Sequence, residues 1–169
     1  AGLLLFSLSF LAIAAPPKPD YLVRVSSTDA RDISVTFRYT VDSQDLSMAD
    51  WGAEHFPEGW GKFVSGLQAK DERGAPVPLR GGPQAWKIAA SKGQPVEVSY
   101  RLRLDHDRHP WPHGLDEAAY VKADAIFMTG MALFLSPDDT AGATVRFELP
   151  PGWRASTPWN RNPDGSFGV

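Results

Sequence analysis

The chain contains no cysteine. That excludes disulfide bridges, thiolate nucleophiles and cysteine-ligated zinc, and leaves the compartment open, since exported proteins without cysteine are common. It has no excess of basic charge: 17 Lys and Arg stand against 20 Asp and Glu, a net charge of -3. With no basic stripe to neutralise phosphates, nucleic acid is not an expected partner. It has no apolar run long enough for a stable membrane span, which takes roughly 20 residues; the Leu-rich, uncharged stretch Gly2–Ala15 falls short. Four chemical signatures are also missing: His-Glu-x-x-His, Gly-x-Ser-x-Gly, the P-loop and the dinucleotide fingerprint. The pair Glu54-His55 lacks a second histidine at zincin spacing. A Ser-His-Asp triad cannot be assigned from spacing at all, because its members converge in space.

What is present is alternation. In Val96–Leu104 every second residue is apolar (Val96, Val98, Tyr100, Leu102, Leu104), and Glu97, Ser99, Arg101 and Arg103 fall between them. Successive strand side chains point to opposite faces, so this is a strand with one buried and one wet face. A wet face argues for an antiparallel sheet, and the apolar face needs a second layer to cover it. Ile33–Val41 alternates in the same way, Tyr21–Val25 precedes it, and Thr28–Asp32 between them reads as a hairpin loop. Phe63–Lys70, Ala85–Ala89, Thr144–Leu149 and Trp153–Thr157 are further strand candidates. Asp42–Gly61 reads as irregular, Asp105–Glu117 as a long polar loop. Ala118–Leu135 reads as two short strands around a bend, or one long strand bulged at Gly130, with a helix as the competing assignment. Fifteen glycines and fifteen prolines suit many short strands joined by turns. The expectation is an all-β, antiparallel β-sandwich with long irregular loops.

The start of the chain reads differently. Gly2–Ala15 has the length of a signal-peptide apolar region, Ala12-Ile13-Ala14 matches the small-residue cleavage pattern, and Pro16-Pro17-Lys18-Pro19 follows. The expected division is a signal-peptide remnant at 1–15, a Pro-rich linker at 16–20 and the β-domain at 21–169. Export to the periplasm or the cell exterior follows from it. The chain begins at Ala1, and Asn162-Pro163-Asp164-Gly165 turns into Phe167-Gly168-Val169 as if another strand were starting. Both ends therefore read as cut, and the chain as a piece of a longer protein.

Two groups of side chains invite a chemical reading. His106, His109 and His113 are spaced as on one helix face, but Pro110 and Pro112 forbid that helix. A solvated loop is favoured there over a metal site. Trp51, Trp60 and Trp111 fall in expected loops, where rings could stack on sugars, though packing within the loop or against another domain is favoured; Trp86 and Trp153 fall in strand-like runs and read as core. The acidic pairs Asp116-Glu117 and Asp138-Asp139 read as turn chemistry and solubility.

A set of runs in a fixed order carries a resemblance. They are Ser65–Ala69 leading into Asp71-Glu72-Arg73-Gly74-Ala75-Pro76, then Gln84-Ala85-Trp86-Lys87-Ile88, Val96–Leu104, Leu115-Asp116, Ala125–Leu135 and Leu149-Pro150-Pro151-Gly152-Trp153-Arg154. Over roughly Tyr21 to Thr157 the chain resembles the N-terminal domain of the glycyl aminopeptidase family, exported bacterial zinc peptidases that often carry a PDZ domain. Two places depart from the family pattern. Trp51–Trp60 stands where the family has Trp-x-Pro-Gly-x-Tyr, and Thr129-Gly130 stands where it often has Asn-Gly. The resemblance implies a non-catalytic β-domain that packs on a downstream thermolysin-like domain and shapes its peptide-substrate cleft. Zinc would be held there by two His and a Glu, with the motif Glu activating water; the fragment itself would hold no cofactor. Trp51, Trp60, Trp111, Met128, Thr129 and Gly130 become the candidates for the cleft or the domain interface. The alternative is a free-standing secreted β-sandwich module binding carbohydrate or protein.

Overall fold

The computed structural model describes residues 18–26, 29–53, 56–103, 120–122, 124–137 and 142–169. In chain order the strands begin with β1 (Asp20–Val25), β2 (Asp32–Thr40) and β3 (Asp45–Ser47), followed by a short 3-10 turn at Trp60–Phe63. Then come β4 (Val64–Asp71), β5 (Pro76–Val77), β6 (Leu79–Gly82), β7 (Ala85–Ile88) and β8 (Pro95–Arg103). After β9 (Tyr120–Val121) and β10 (Ile126–Phe127) comes one helical turn, α1 (Gly130–Leu133). The chain continues through β11 (Ser136–Pro137), β12 (Thr144–Glu148), β13 (Asn160–Arg161) and β14 (Phe167–Gly168).

An eight-stranded sheet runs in the order β13-β14-β12-β1-β2-β8-β4-β5, and a four-stranded sheet in the order β11-β3-β7-β6. The hairpin of β9 and β10 stands apart as a small pair. The two larger sheets make a β-sandwich. Its pairings are antiparallel except β1 with β12, which is parallel. The alternation in β2 and β8 sets their register: Val35 lies opposite Tyr100, Phe37 opposite Val98 and Ile33 opposite Leu102. These six side chains are at most 2% exposed. From the small sheet Leu46 and Ile88 close the other side of the core, each at most 1% exposed.

The outer face of the large sheet is ordered by charge. Pairing sets Asp20, Arg38, Glu97 and Lys70 side by side across β1, β2, β8 and β4. Opposite charges on neighbouring strands attract across the ladder, and Arg38 donates to Glu97 at 2.8 Å. Two residues further along, Leu22, Thr36, Ser99 and Gln68 form an uncharged row.

The structure departs from the expected elements in several places. Asp42–Gly61 is not wholly irregular, since it contains β3, which Leu46 nails into the core. Residues 76–82 hold β5 and β6, too short to show a period. In Ala118–Leu135 two short strands occur, but both precede Thr129-Gly130 instead of flanking it, and Gly130 is no bulge: it opens α1, the competing helical assignment, capped by Thr129, whose Oγ1 accepts the Ala132 N–H at 3.3 Å. A cap satisfies a helical N–H that a bulge would leave to solvent. The register irregularity sits instead in β4 between Ser65 and Gln68, at Gly66 with φ +61°. Trp153–Thr157 follows a turn closed by Trp153 N–H to the Pro150 carbonyl at 3.1 Å, but pairs with no strand among the described residues. Its alternation is half-burial against the body without a ladder. The expected loop Asp105–Glu117, with His106, His109, Trp111 and His113, lies outside the described residues, as do Glu54, His55 and the signal-peptide candidate.

Candidate functional site

The loop after β3 carries two of the candidate tryptophans, and the structure separates them. Trp60 is 1% exposed. Its ring packs by Phe56 and Phe63, with centroids at 6.2 and 6.3 Å, and its Nε1–H donates to the Trp51 carbonyl at 2.9 Å. A buried indole needs such a partner, and this one fixes the loop. Trp60 therefore has no face for a ligand among these residues; it is packed within the loop, the reading favoured over stacking. The loop is tied to the β6–β7 turn as well. Gln84 donates to the Pro57 carbonyl at 2.8 Å, and Gly61 lies so close to Pro83 that a Cβ there would fall 1.8 Å from the Pro83 carbonyl oxygen. Held this way, the loop presents Trp51 at 67% exposure.

The second region holds Met128, Thr129 and Gly130. Here two tyrosines of the core face act as clamps. Tyr100, on β8, donates its hydroxyl to the Leu133 carbonyl at 2.7 Å and accepts the Leu135 N–H at 2.9 Å. Tyr21, on β1, donates to the Leu135 carbonyl at 3.1 Å. Burial pushes both phenols well above the ordinary tyrosine value, so they remain neutral donors. The Phe134 ring meets Tyr21 edge-on at 4.8 Å and Trp159 at 6.0 Å. With its C-terminal side so fixed, the segment leaves Met128, Thr129 and Met131 half-buried, Gly130 exposed and Phe127 42% exposed. Sequence reasoning missed the clamps. Their one trace was a tyrosine at an apolar position of each strand pattern, since a buried phenol carries a hydroxyl that must be satisfied.

A third feature was not foreseen. A groove of about 630 Å³ lies at one end of the charged sheet face, lined by Lys18, Asp20, Arg38, Lys70, Glu72 and Glu97 among others. Its charges are largely committed. Arg38 serves Glu97; Arg146 binds Asp20 at 2.6 and 2.7 Å and reaches Asp164 at 3.1 Å. Asp164 is held down at about 2 by the Ser166 hydroxyl and amide, with Arg146 adding to the effect. Asp71, also at the groove, accepts the Arg73 and Ala75 amides of its own turn at 2.9 and 2.8 Å. Such a lining offers neither a nucleophile paired with a base nor a metal cage. Among the described residues no group of three or more His, Asp or Glu side chains is placed to share a metal ion. Nor is any described helix long and apolar enough to cross a membrane.

The described residues thus present two segments on the β-sandwich, the loop of Trp51 and the run around α1. The model of the peptidase M61 N-terminal domain matches residues 20–168. The chain belongs to the peptidase M61 N-terminal domain family. An aminopeptidase N family protein from Idiomarina loihiensis has a similar structure, with a TM-score of 0.71 at 21% identity over 89% of this chain. At that identity the likeness is one of fold. The match takes in 27% of the Idiomarina chain. A methionyl-tRNA formyltransferase of Gluconacetobacter diazotrophicus is 38% identical over 78 residues, which is 45% of this chain and 25% of that protein. The matched part is thus about a quarter of the length of each of these two proteins.

Proposed function

We propose that this M61 N-terminal domain is the non-catalytic front part of an exported zinc metallo-aminopeptidase of the glycyl aminopeptidase type, with a PDZ domain further along the chain. In that reading the sandwich packs on a downstream thermolysin-like domain and walls one side of the cleft in which a peptide lies. The family match across residues 20–168 carries the reading. Recognition elements held on loops by a stiff scaffold are what such a wall needs, and Trp51 and the segment around α1 are presented in that way. The free-standing carbohydrate module loses ground because Trp60 is spent in the core.

The test is the full-length protein. It is expected to release N-terminal glycine from short peptides, to stop when a chelator removes metal, and to recover with zinc. Fractionation of the cells is expected to put it outside the cytoplasm, with a mature N-terminus close after Ala14. A full-length protein that cleaves no peptide in the presence of zinc overturns the reading.

A further inference from the structure

Residues 153–157 have the shape of a strand and no ladder. Burial alternates along them: Trp153, Ala155 and Thr157 are half-buried, Arg154 and Ser156 exposed. Trp153 spends its own N–H on the turn at Pro150. From Arg154 to Thr157 the backbone meets no hydrogen-bond partner among the described residues. The shape is set in advance, since Pro158 holds the residue before it, Thr157, in extended backbone. An unpaired extended backbone is a template for another strand, and one already extended gives up little freedom when it pairs. β4 also has an open edge, because β5 covers only its last residues. There the irregularity at Gly66 breaks the edge, as bulges do where pairing is to be prevented. No such break lies in 154–157.

The run leads to a segment already presented on the surface. Trp159, two residues past Thr157, meets Phe134 at 6.0 Å, and Phe134 caps the C-terminal end of α1.

Charge says what fits the run. Arg24, Arg38, Arg101 and Arg146 on the large sheet are answered by carboxylates. Arg154 is exposed with no carboxylate beside it among the described residues. Residues 149–163 contain no Asp or Glu. A second copy pairing through the same run would therefore bring no countercharge. An acidic residue opposite Arg154 on an added strand would.

We propose that residues 154–157 are the acceptor strand for an extended peptide that carries an acidic side chain opposite Arg154. The proposal rests on the reading of this domain as one wall of a peptide cleft. It adds the strand along which the peptide lies and the class of peptide favoured.

The test uses the full-length protein with metal removed, so that no bond is cut. Two octapeptides that begin with glycine are titrated, one with glutamate at alternating later positions and one with glutamine in its place. The glutamate peptide is expected to bind about threefold tighter, the order of one cross-strand ion pair, and Arg154→Gln to abolish the difference. Hydrogen exchange at the amides of 154–157 is expected to slow when either peptide saturates, and to stay unchanged when the protein alone is concentrated. Equal affinity for the two peptides overturns the proposal, and so does binding that leaves these amides unprotected. Protection that grows with protein concentration alone also overturns it, because it indicates a second copy. Glutamate preference and protected amides in a protein that cleaves neither peptide once zinc is restored leave the acceptor strand standing and remove the peptidase reading. Cleavage of both peptides with the amides open does the reverse.

Discussion

The same strands show two chemistries on their two faces. On the inner face of the large sheet Val23, Ile33, Val35, Phe37 and Val98 have no exposure at all. On the outer face Arg24, Arg38 and Arg101 stand in solvent and answer Glu148, Glu97 and Asp32. One residue of register separates these surfaces. Burial of apolar area holds the fold, while the outer charges fix which face turns outward and keep the sheet soluble. They contribute little stability, because exposed ion pairs are screened and give up side-chain entropy.

That contrast can be broken by substitution. The largest effect belongs to Leu102→Ala, on the inner face of β8 and 1% exposed; it is expected to cost about 2–5 kcal/mol in chemical denaturation. Thr36→Ala, on the outer face, is expected to stay within about 0.5 kcal/mol. Next comes Tyr100→Phe. It strips the hydroxyl that serves both the Leu133 carbonyl and the Leu135 N–H, and leaving these buried groups unmatched costs about 1–3 kcal/mol. Tyr39→Phe is the companion. The Tyr39 hydroxyl is buried without a partner among the described residues, so the same chemical change there is expected to be neutral or stabilising. One atom thus distinguishes a tyrosine that clamps from one that merely fills.

Alkaline pH sharpens the comparison further. Burial pushes the Tyr39 phenol up to about 12, and Tyr21 and Tyr100 higher still. An unfolded phenol ionises near its ordinary value of about 10. The folded state therefore holds its protons longer, and the stability this contributes is whole below pH 10 and lost as pH rises through 12. The denaturation midpoint is expected to fall over that interval, together with the appearance of phenolate absorbance. Arg38→Ala on the outer face is expected to cost about 0–1 kcal/mol, diminishing with added salt.

The inner and outer faces were legible in the sequence because a period of two survives over nine residues in both β2 and β8. The all-β class and the longer strands followed from that pattern. β5, β11, β13 and β14 have two residues each; a period cannot show in so short a run, and only their partners make them strands. α1 was hidden for another reason. Ala125–Leu135 is apolar but for Thr129 and Gly130, so neither period stands out, and the tertiary bonds from Tyr21 and Tyr100 hold its C-terminal side. Of the site candidates, Trp51 lies where a loop tryptophan was expected, whereas Trp60 is claimed by Phe56, Phe63 and its bond to Trp51. A loop in the pattern is not a loop in solvent.

The parallel pairing of β1 with β12 has a consequence for how the protein is made. Arg24 and Glu148 face each other across that seam from 124 positions apart in the chain. β1 can join β2 within moments of leaving the ribosome, but its other edge waits bare until the last fifth of the domain has been synthesised. Contacts so distant slow folding, and a bare edge invites foreign strands meanwhile. A ribosome that stalls before Thr144 releases a product prone to clump, and a chaperone guarding the first thirty residues would shorten that hazard.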